Sequence, residues 1–265
     1  MENLVRLSGK DNKTIKSAAK LSVSSAARRE AGEFLLEGAR LCLDAVRAGA
    51  EIKRCFITDK ALTDYKAYVE HIIPIAKESY LVSSELFVKL SDTVSPQGVA
   101  AVCTMPEGST EIDGKGMYIA LENMQDPSNL GAVARTAEAL GISGIIVSKG
   151  SCDPYSPKAQ RSAMGSLLRL PVIVADNFLG CMTELKGKGM SLFAATVTDA
   201  DVNLGEFGFP QGSIVMIGNE GNGLSSEAVC LAHKKVTIAM SGRNESLNAS
   251  VAAALFMWEM TKGEN

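Results

Sequence analysis

The chain has 265 residues, of which 46% are hydrophobic, and a formal net charge of −3. That length is enough to bury one or two full cores. The near-neutral charge argues against a globally basic nucleic-acid binder, and no apolar run approaches the roughly 18 residues of a membrane span. MENLVRLSGK lacks the apolar core of a secretory signal. Positive charge is local instead: residues 1–30 carry seven basic side chains against Glu2, Asp11 and Glu30. They read either as a solvated tail or as a source of affinity for a polyanion.

In chain order, EFLLEGARLCLDAVRAGAE reads as a strand entering a helix that stops at Gly49. IKRCFIT is a strand, ALTDYKAYVEHI a helix, SSELFVKLSD another helix and GVAAVCTM a strand. Alternation of this kind predicts a small α/β domain over 1–105. PEGSTEIDGKG, 106–116, is rich in Gly, Pro and acidic residues without periodicity, which predicts a linker. From 117 to 265 the pattern changes. MYIALEN, GIIVS, SLFAATV, SIVMIG and KVTIAM are near-continuous apolar strands, interleaved with the helices NLGAVARTAEALG, SSEAVCLAHK and a final apolar run. Such strands predict a parallel sheet covered on both faces.

Cysteine and histidine narrow the chemistry. Six scattered cysteines form no CxxC pair, and His71 and His233 lie at no ligand spacing. We therefore expect reduced thiols in a cytoplasmic protein, no metal and no histidine-based triad.

Three polar loops follow apolar strands. In ENMQDPSNLGAVARTAEALG, the helix places Leu130, Val133, Ala134, Ala137 and Leu140 on one stripe, with Arg135 turned away from it. Taken alone, Arg135 is an ordinary surface arginine. GNEGNG, between a strand and a helix, is neither a dinucleotide fingerprint nor a P-loop, but it leaves Glu220 open between glycines. RNESLNASVAAALFMWE puts Ser246, Asn248 and Ser250 at the start of a very apolar helix, where such residues either cap or hold something. On that helix Leu247, Val251, Ala254, Leu255 and Trp258 form a stripe that reads as core or subunit interface. Loops at the carboxyl ends of parallel strands converge on ligand sites. The residues alone thus support a small-molecule site with one Arg, one Glu and several amides, and leave the ligand open.

Together these segments resemble the TrmH (SpoU) branch of the SPOUT methyltransferases, over nearly the whole chain. NLGAVARTA is similar to the first family motif, with Asn129 and Arg135 at matching positions. MIGNEGNGLS is similar to the second, with Gly218 and Glu220. IAMSGRNESLNASVA is similar to the third, with Ile238, Met240, Leu247, Asn248 and Ser250; Ala239 and Ala249 stand where the family usually has Pro and often has Val. DPYSPKAQRSAMGSLLRLPV is similar to the family's connecting segment, and the first block to its ribosomal-protein-like substrate-binding domain.

The resemblance implies a C-terminal SPOUT domain with a deep trefoil knot, a homodimer with active sites between subunits, and S-adenosyl-L-methionine as cofactor. It implies methyl transfer to a ribose 2′-hydroxyl of RNA, with rRNA favoured over tRNA. Asn129, Arg135, Glu220, Asn248 and Ser250 are then the catalytic set, and Thr196, Gly218, Ile238, Met240 and Leu247 hold the cofactor. The competing expectation is an RNA-binding protein that keeps the fold without the chemistry. Lys149, Lys158, Arg161 and Arg169 are expected near the active site, with Lys158 and Arg161 positioning the nucleotide.

Overall fold

The computed structural model describes residues 4–9, 12–106, 111–242 and 246–262. Lys10 and Asp11 of the basic segment, 107–110 of the expected linker, and Arg243, Asn244 and Glu245 of the third loop lie outside the described residues. The chain divides into two compact units, Met1–Glu107 with Asp153–Leu168, and Gly108–Cys152 with Arg169–Asn265.

The first unit runs β1 (Leu4–Arg6), α1 (Lys13–Val23), α2 (Ser25–Ala31), β2 (Glu33–Glu37), α3 (Ala39–Arg47), β3 (Ile52–Thr58), α4 (Asp59–Asp64), α5 (Lys66–Ile72), β4 (Glu78–Val82), α6 (Ser84–Phe87) and β5 (Val99–Thr104). Its sheet is mixed, in the order β1-β4-β3-β5-β2. β1, β4 and β3 are mutually parallel, and β5 is antiparallel to both β3 and β2. Residues alternate between two cores, as the period of a strand requires. Leu36, Cys55, Ile57 and Ala101 pack with Cys42 and Ala45 of α3 and Ile72 of α5. Leu35, Phe56, Ala100 and Val102 pack with Ile15, Ala18 and Leu21 of α1 and Phe87 of α6.

The described part of the basic segment is therefore not a tail. α1 buries one face, and Lys13, Lys16 and Lys20 ride on the other. Arg28 is buried, pairing with Asp153 at 2.7 Å and donating to the Leu21 carbonyl, so it belongs to the fold. Two expected helices are also corrected. ALTDYKAYVEHI breaks at Tyr65 into α4 and α5, and SSELFVKLSD keeps helix only over Ser84–Phe87.

The second unit runs β6 (Tyr118–Leu121), α7 (Pro127–Ala139) and β7 (Gly144–Ser148). The chain then contributes α8 (Pro157–Ala163) to the first unit before returning with β8 (Val172–Ala175). There follow α9 (Phe178–Gly187), β9 (Ser191–Ala195), β10 (Val202–Asn203), β11 (Ser213–Ile217), α10 (Ser226–Leu231), β12 (Lys234–Thr237) and α11 (Ala249–Thr261). The sheet is parallel throughout, in the order β10-β12-β9-β11-β6-β7-β8. α9 and α10 cover one face with Phe178, Met182, Leu185 and Ala228. α7 and α11 lie against each other, burying Leu130, Val133, Ala137, Ala253, Phe256 and Met257. β6, β7 and β11 are buried along their whole length, as expected of strands covered on both sides. From β6 the chain first winds outward to β7 and β8, and β11 later fills the other side of β6. That reversal makes the carboxyl ends of β6 and β11 the place where a crevice opens. Among the described residues no helix is long and apolar enough to cross a membrane.

Candidate active site

Each loop at this crevice is fixed by its own capping. Asp126 caps α7 through the Ser128 N–H at 2.9 Å, with Pro127 in the first helical turn, where its missing N–H costs nothing. Ser225 caps α10 through the Ala228 N–H. Asn248 caps α11, its Oδ1 accepting from the Ser250 and Val251 N–H groups and from the Ser250 hydroxyl. This resolves why a polar cluster opens so apolar a helix. Asn248 caps, and its remaining amide group reaches outward.

That amide group donates from Nδ2 to Asn129 Oδ1 at 3.1 Å, and Asn129 Nδ2 donates to Glu220 Oε1 at 2.9 Å. The other carboxylate oxygen accepts from the Gln125 N–H at 3.3 Å. The polarity of this chain follows from the charge at one end. An ionised Glu220 only accepts, so Asn129 must present its NH₂ to it and its carbonyl to Asn248. Asn248 must then offer NH₂ and keep its carbonyl for the helix. Two asparagines in series satisfy this; an aspartate at either place breaks it. Burial pushes the Glu220 carboxyl up, but the hydrogen bonds from Asn129 and neighbouring backbone N–H groups outweigh it and hold the group below the usual carboxylate range. The structure thus brings Asn129, Glu220, Asn248 and Ser250 together.

Arg135 is not among them. It is exposed on α7 and makes no hydrogen bond or ion pair among the described residues. Lys149 pairs with Asp176 and Arg169 with Glu138, both in the second unit. Lys158 and Arg161 sit on α8 and so belong to the first unit, where Arg161 pairs with Asp92.

Beside the asparagine chain lies a cavity of about 580 Å³, at the carboxyl ends of β9, β11 and β12 and the start of α11. Thr196, Gly218, Glu220, Ile238, Met240 and Leu247 line it. Its size is that of a small-molecule site. Two features ask for a ligand. The Thr196 hydroxyl oxygen is buried and has no hydrogen-bond partner among the described residues, which is costly unless something else supplies one. At Gly218, an added Cβ would lie 2.0 Å from the Gly223 carbonyl carbon, so the loop folds back on itself only because that residue has no side chain.

Asp199 and Lys235 also line the cavity and had no motif to mark them, and Asn219 lines it from within the glycine motif without having been singled out. Glu122 was legible only as a charge ending an apolar strand. Buried at the end of β6, it accepts from the Ser225 N–H at 2.8 Å and the Ser225 hydroxyl at 2.7 Å. Asn219 Nδ2 donates to the Asn123 carbonyl at 2.9 Å. The first loop is thereby tied to the glycine loop at Glu122, Asn123 and Gln125. Among the described residues no cluster of His, Cys, Asp or Glu could hold a metal ion.

The sequence model of the SpoU rRNA Methylase family matches residues 116–258, and that of the MRM3-like substrate binding domain matches 12–101. An uncharacterized tRNA/rRNA methyltransferase of Synechocystis sp. is 34% identical over 88% of this chain and 85% of its own. The 23S rRNA guanosine 2′-O-methyltransferase RlmP of Bacillus subtilis is 28% identical over 88% of this chain and 90% of its own. The crystal structure of the SpoU methyltransferase AviRb from Streptomyces viridochromogenes, in complex with AdoMet, superposes with a TM-score of 0.86 at 26% identity, covering 96% of this chain and 98% of that one.

Proposed function

The chain belongs to the SpoU rRNA methylase family, and we propose that it transfers a methyl group from S-adenosyl-L-methionine to a ribose 2′-hydroxyl of ribosomal RNA. The observation that carries this reading is the juxtaposition of the Asn248–Asn129–Glu220 chain with a cavity holding an unpartnered Thr196 hydroxyl. The bound cofactor supplies an activated methyl on a sulfonium. Thr196, Gly218, Ile238, Met240 and Leu247 hold it, and the Thr196 hydroxyl gains the partner it lacks. Asn129 and Asn248 fix the start of α7 against the start of α11, so that the loops on either side of the acceptor ribose keep one spacing. Glu220 stays ionised at neutral pH and serves as an acceptor. A guanidinium is a poor general base, so the role of Arg135 is to stabilise negative charge developing on the ribose oxygen.

Arg135 lies outside its own chain's cavity, which a homodimer with each active site between subunits accounts for. α11 supports that assembly: it buries one side, while Val251, Leu255 and Trp258, spaced four and three apart, stay exposed. The trefoil knot and the cytoplasmic setting belong to the same reading. So does the division of labour, with RNA bound by the first unit, the stretch 106–116 connecting, and transfer carried out by the second. Ribosomal RNA is preferred because two relatives that match most of this chain, in Bacillus subtilis and Streptomyces viridochromogenes, are named for 23S rRNA.

Isothermal calorimetry of the protein with S-adenosyl-L-methionine tests the cofactor site. Binding at one site per chain, weakened by Gly218→Ala, is expected. Absence of binding to the native chain would overturn the reading.

A further inference from the structure

The first unit carries a second cavity, of about 330 Å³, and nothing in the methyl-transfer reading uses it. Arg40, Leu41 and Asp44 from α3, Gln97 from the loop before β5, and Arg161 and Met164 from the returning segment line it. The last two matter because Asp153–Leu168 is remote in sequence from the rest of the first unit yet completes this wall.

Three observations indicate what it takes. First, Met164 is 45% exposed and holds a left-handed backbone, φ 53°, at the end of α8. Glycine would adopt that conformation without strain, so an exposed methionine here is kept at a cost. Second, Arg40 is exposed and makes no hydrogen bond or ion pair among the described residues. Third, the loop that carries Gln97 is anchored rather than loose. Buried Glu37 accepts from the Ser91 and Thr93 hydroxyls, Arg161 grips Asp92, and Gln97 Oε1 accepts from the Ala39 N–H at 2.9 Å. An apolar floor of Leu41 and Met164, rimmed by a free guanidinium, a carboxylate and an amide, suits one ligand chemistry. It offers a surface for a flat ring, donors and acceptors for its edge, and a cation for an adjoining phosphate.

We propose that this cavity captures one unstacked nucleotide of the RNA substrate, with its base against Met164 and Leu41 and its phosphate on Arg40. It rests on the reading of the protein as an RNA methyltransferase, and makes the first unit a reader of single-stranded or looped RNA. Sequence recognition in RNA falls on such unstacked bases, whereas paired ones keep their edges in a groove side chains cannot enter.

Binding of a mixed-sequence single-stranded RNA 12-mer, and of the same sequence as a duplex, is measured with the full-length chain and with Met164→Gly and Arg40→Ala. Met164→Gly relieves the backbone, so its melting temperature should hold or rise. Its affinity for the single strand should nonetheless fall by about tenfold, because the base loses the apolar surface of the Met164 side chain. Arg40→Ala should weaken single-strand binding and reduce its salt slope by about one counterion. Neither should change binding of S-adenosyl-L-methionine. Unchanged single-strand affinity in both variants, or an equal loss for the duplex, overturns the cavity assignment and leaves the methyltransferase reading standing. If the native chain binds S-adenosyl-L-methionine but neither RNA, the cavity assignment fails with it. Failure of the native chain to bind S-adenosyl-L-methionine overturns the methyltransferase reading and, with it, the ground for the cavity assignment.

Discussion

Asn129→Asp changes one atom type in the polar chain and reverses its logic. The side chain is nearly buried, and its NH₂ lies 2.9 Å from Glu220 Oε1. The substitution removes a hydrogen bond to a charged group, worth about 1.5–3 kcal/mol, and sets two carboxylates face to face. Their repulsion at about 4 Å is ~1 kcal/mol in water and ~4 kcal/mol at a protein surface. Because Glu220 is exposed, the lower part of that range applies. A loss of about 3 kcal/mol is therefore expected near pH 8. Two carboxylates at that distance share a proton, which raises the upper apparent pKa of the pair above the ordinary range. The folded variant then holds a proton that the unfolded chain has released. Its stability is fullest at low pH and falls as pH rises through the raised pKa. In the native chain the sign is opposite: Glu220 is held low, so its contribution persists across pH 5–8 and is lost only on acidification below the ordinary carboxylate range. Thermal and urea unfolding at pH 5 and pH 8, with Asn129→Ala as a pH-independent control, reads the difference. A deficit for Asn129→Asp that is the same at both values refutes the hydrogen bond on which the polarity of the whole chain depends.

Thr196→Val should act in opposite directions on two measurements. Without cofactor it removes a buried, unpartnered hydroxyl and should stabilise the fold by about 1 kcal/mol, while S-adenosyl-L-methionine binds several-fold more weakly; unchanged affinity in calorimetry would remove Thr196 from the cofactor site. Gly218→Ala should weaken cofactor binding while the circular dichroism of the sheet is kept, since the added Cβ meets the Gly223 backbone at 2.0 Å. Arg135→Lys should lower kcat by tenfold or more with cofactor affinity unchanged, because a point charge replaces a planar fork; native activity near neutral pH would end an arginine-specific role. Trp258→Glu on the exposed side of α11 should shift the protein from dimer to monomer in light scattering, and a native chain that is already monomeric contradicts the interface.

The periodic parts of this fold were legible in the residues. β6, β7, β9 and β11 are runs of Ile, Val, Leu, Phe and Ala that only a sheet covered on both faces can use. The polar loops after β6 and β11, and before α11, showed as breaks in those runs, which is why Glu220, Asn248 and Ser250 could be singled out, whereas Asn129 was named only through the family resemblance. Three things had no local signal. α1 looked like a basic tail, because its buried positions Ile15, Ala18 and Leu21 are diluted by lysines, and what buries them is gathered from β2, β3, β5 and α6 rather than from any one segment. Asp153–Leu168 reads as a connection, and its place in the first unit depends on tertiary partners such as Arg28 for Asp153 and Phe34 for Tyr155. The remaining cavity residues include Asp199, from the loop after β9, and Lys235, on β12; their convergence is set by strand order, and strand order is not written in any one segment.

Ribose methylation of ribosomal RNA is tested most directly by incubating the purified protein with S-adenosyl-L-methionine and unmodified rRNA, then mapping positions that resist alkaline cleavage. A 2′-O-methyl group removes the nucleophile that cleaves the neighbouring phosphodiester, so each modified nucleotide leaves a gap in the ladder. One gap is predicted with the native chain and none with Arg135→Ala. Transfer of methyl to the RNA without any alkali-resistant position, or no transfer at all, contradicts it.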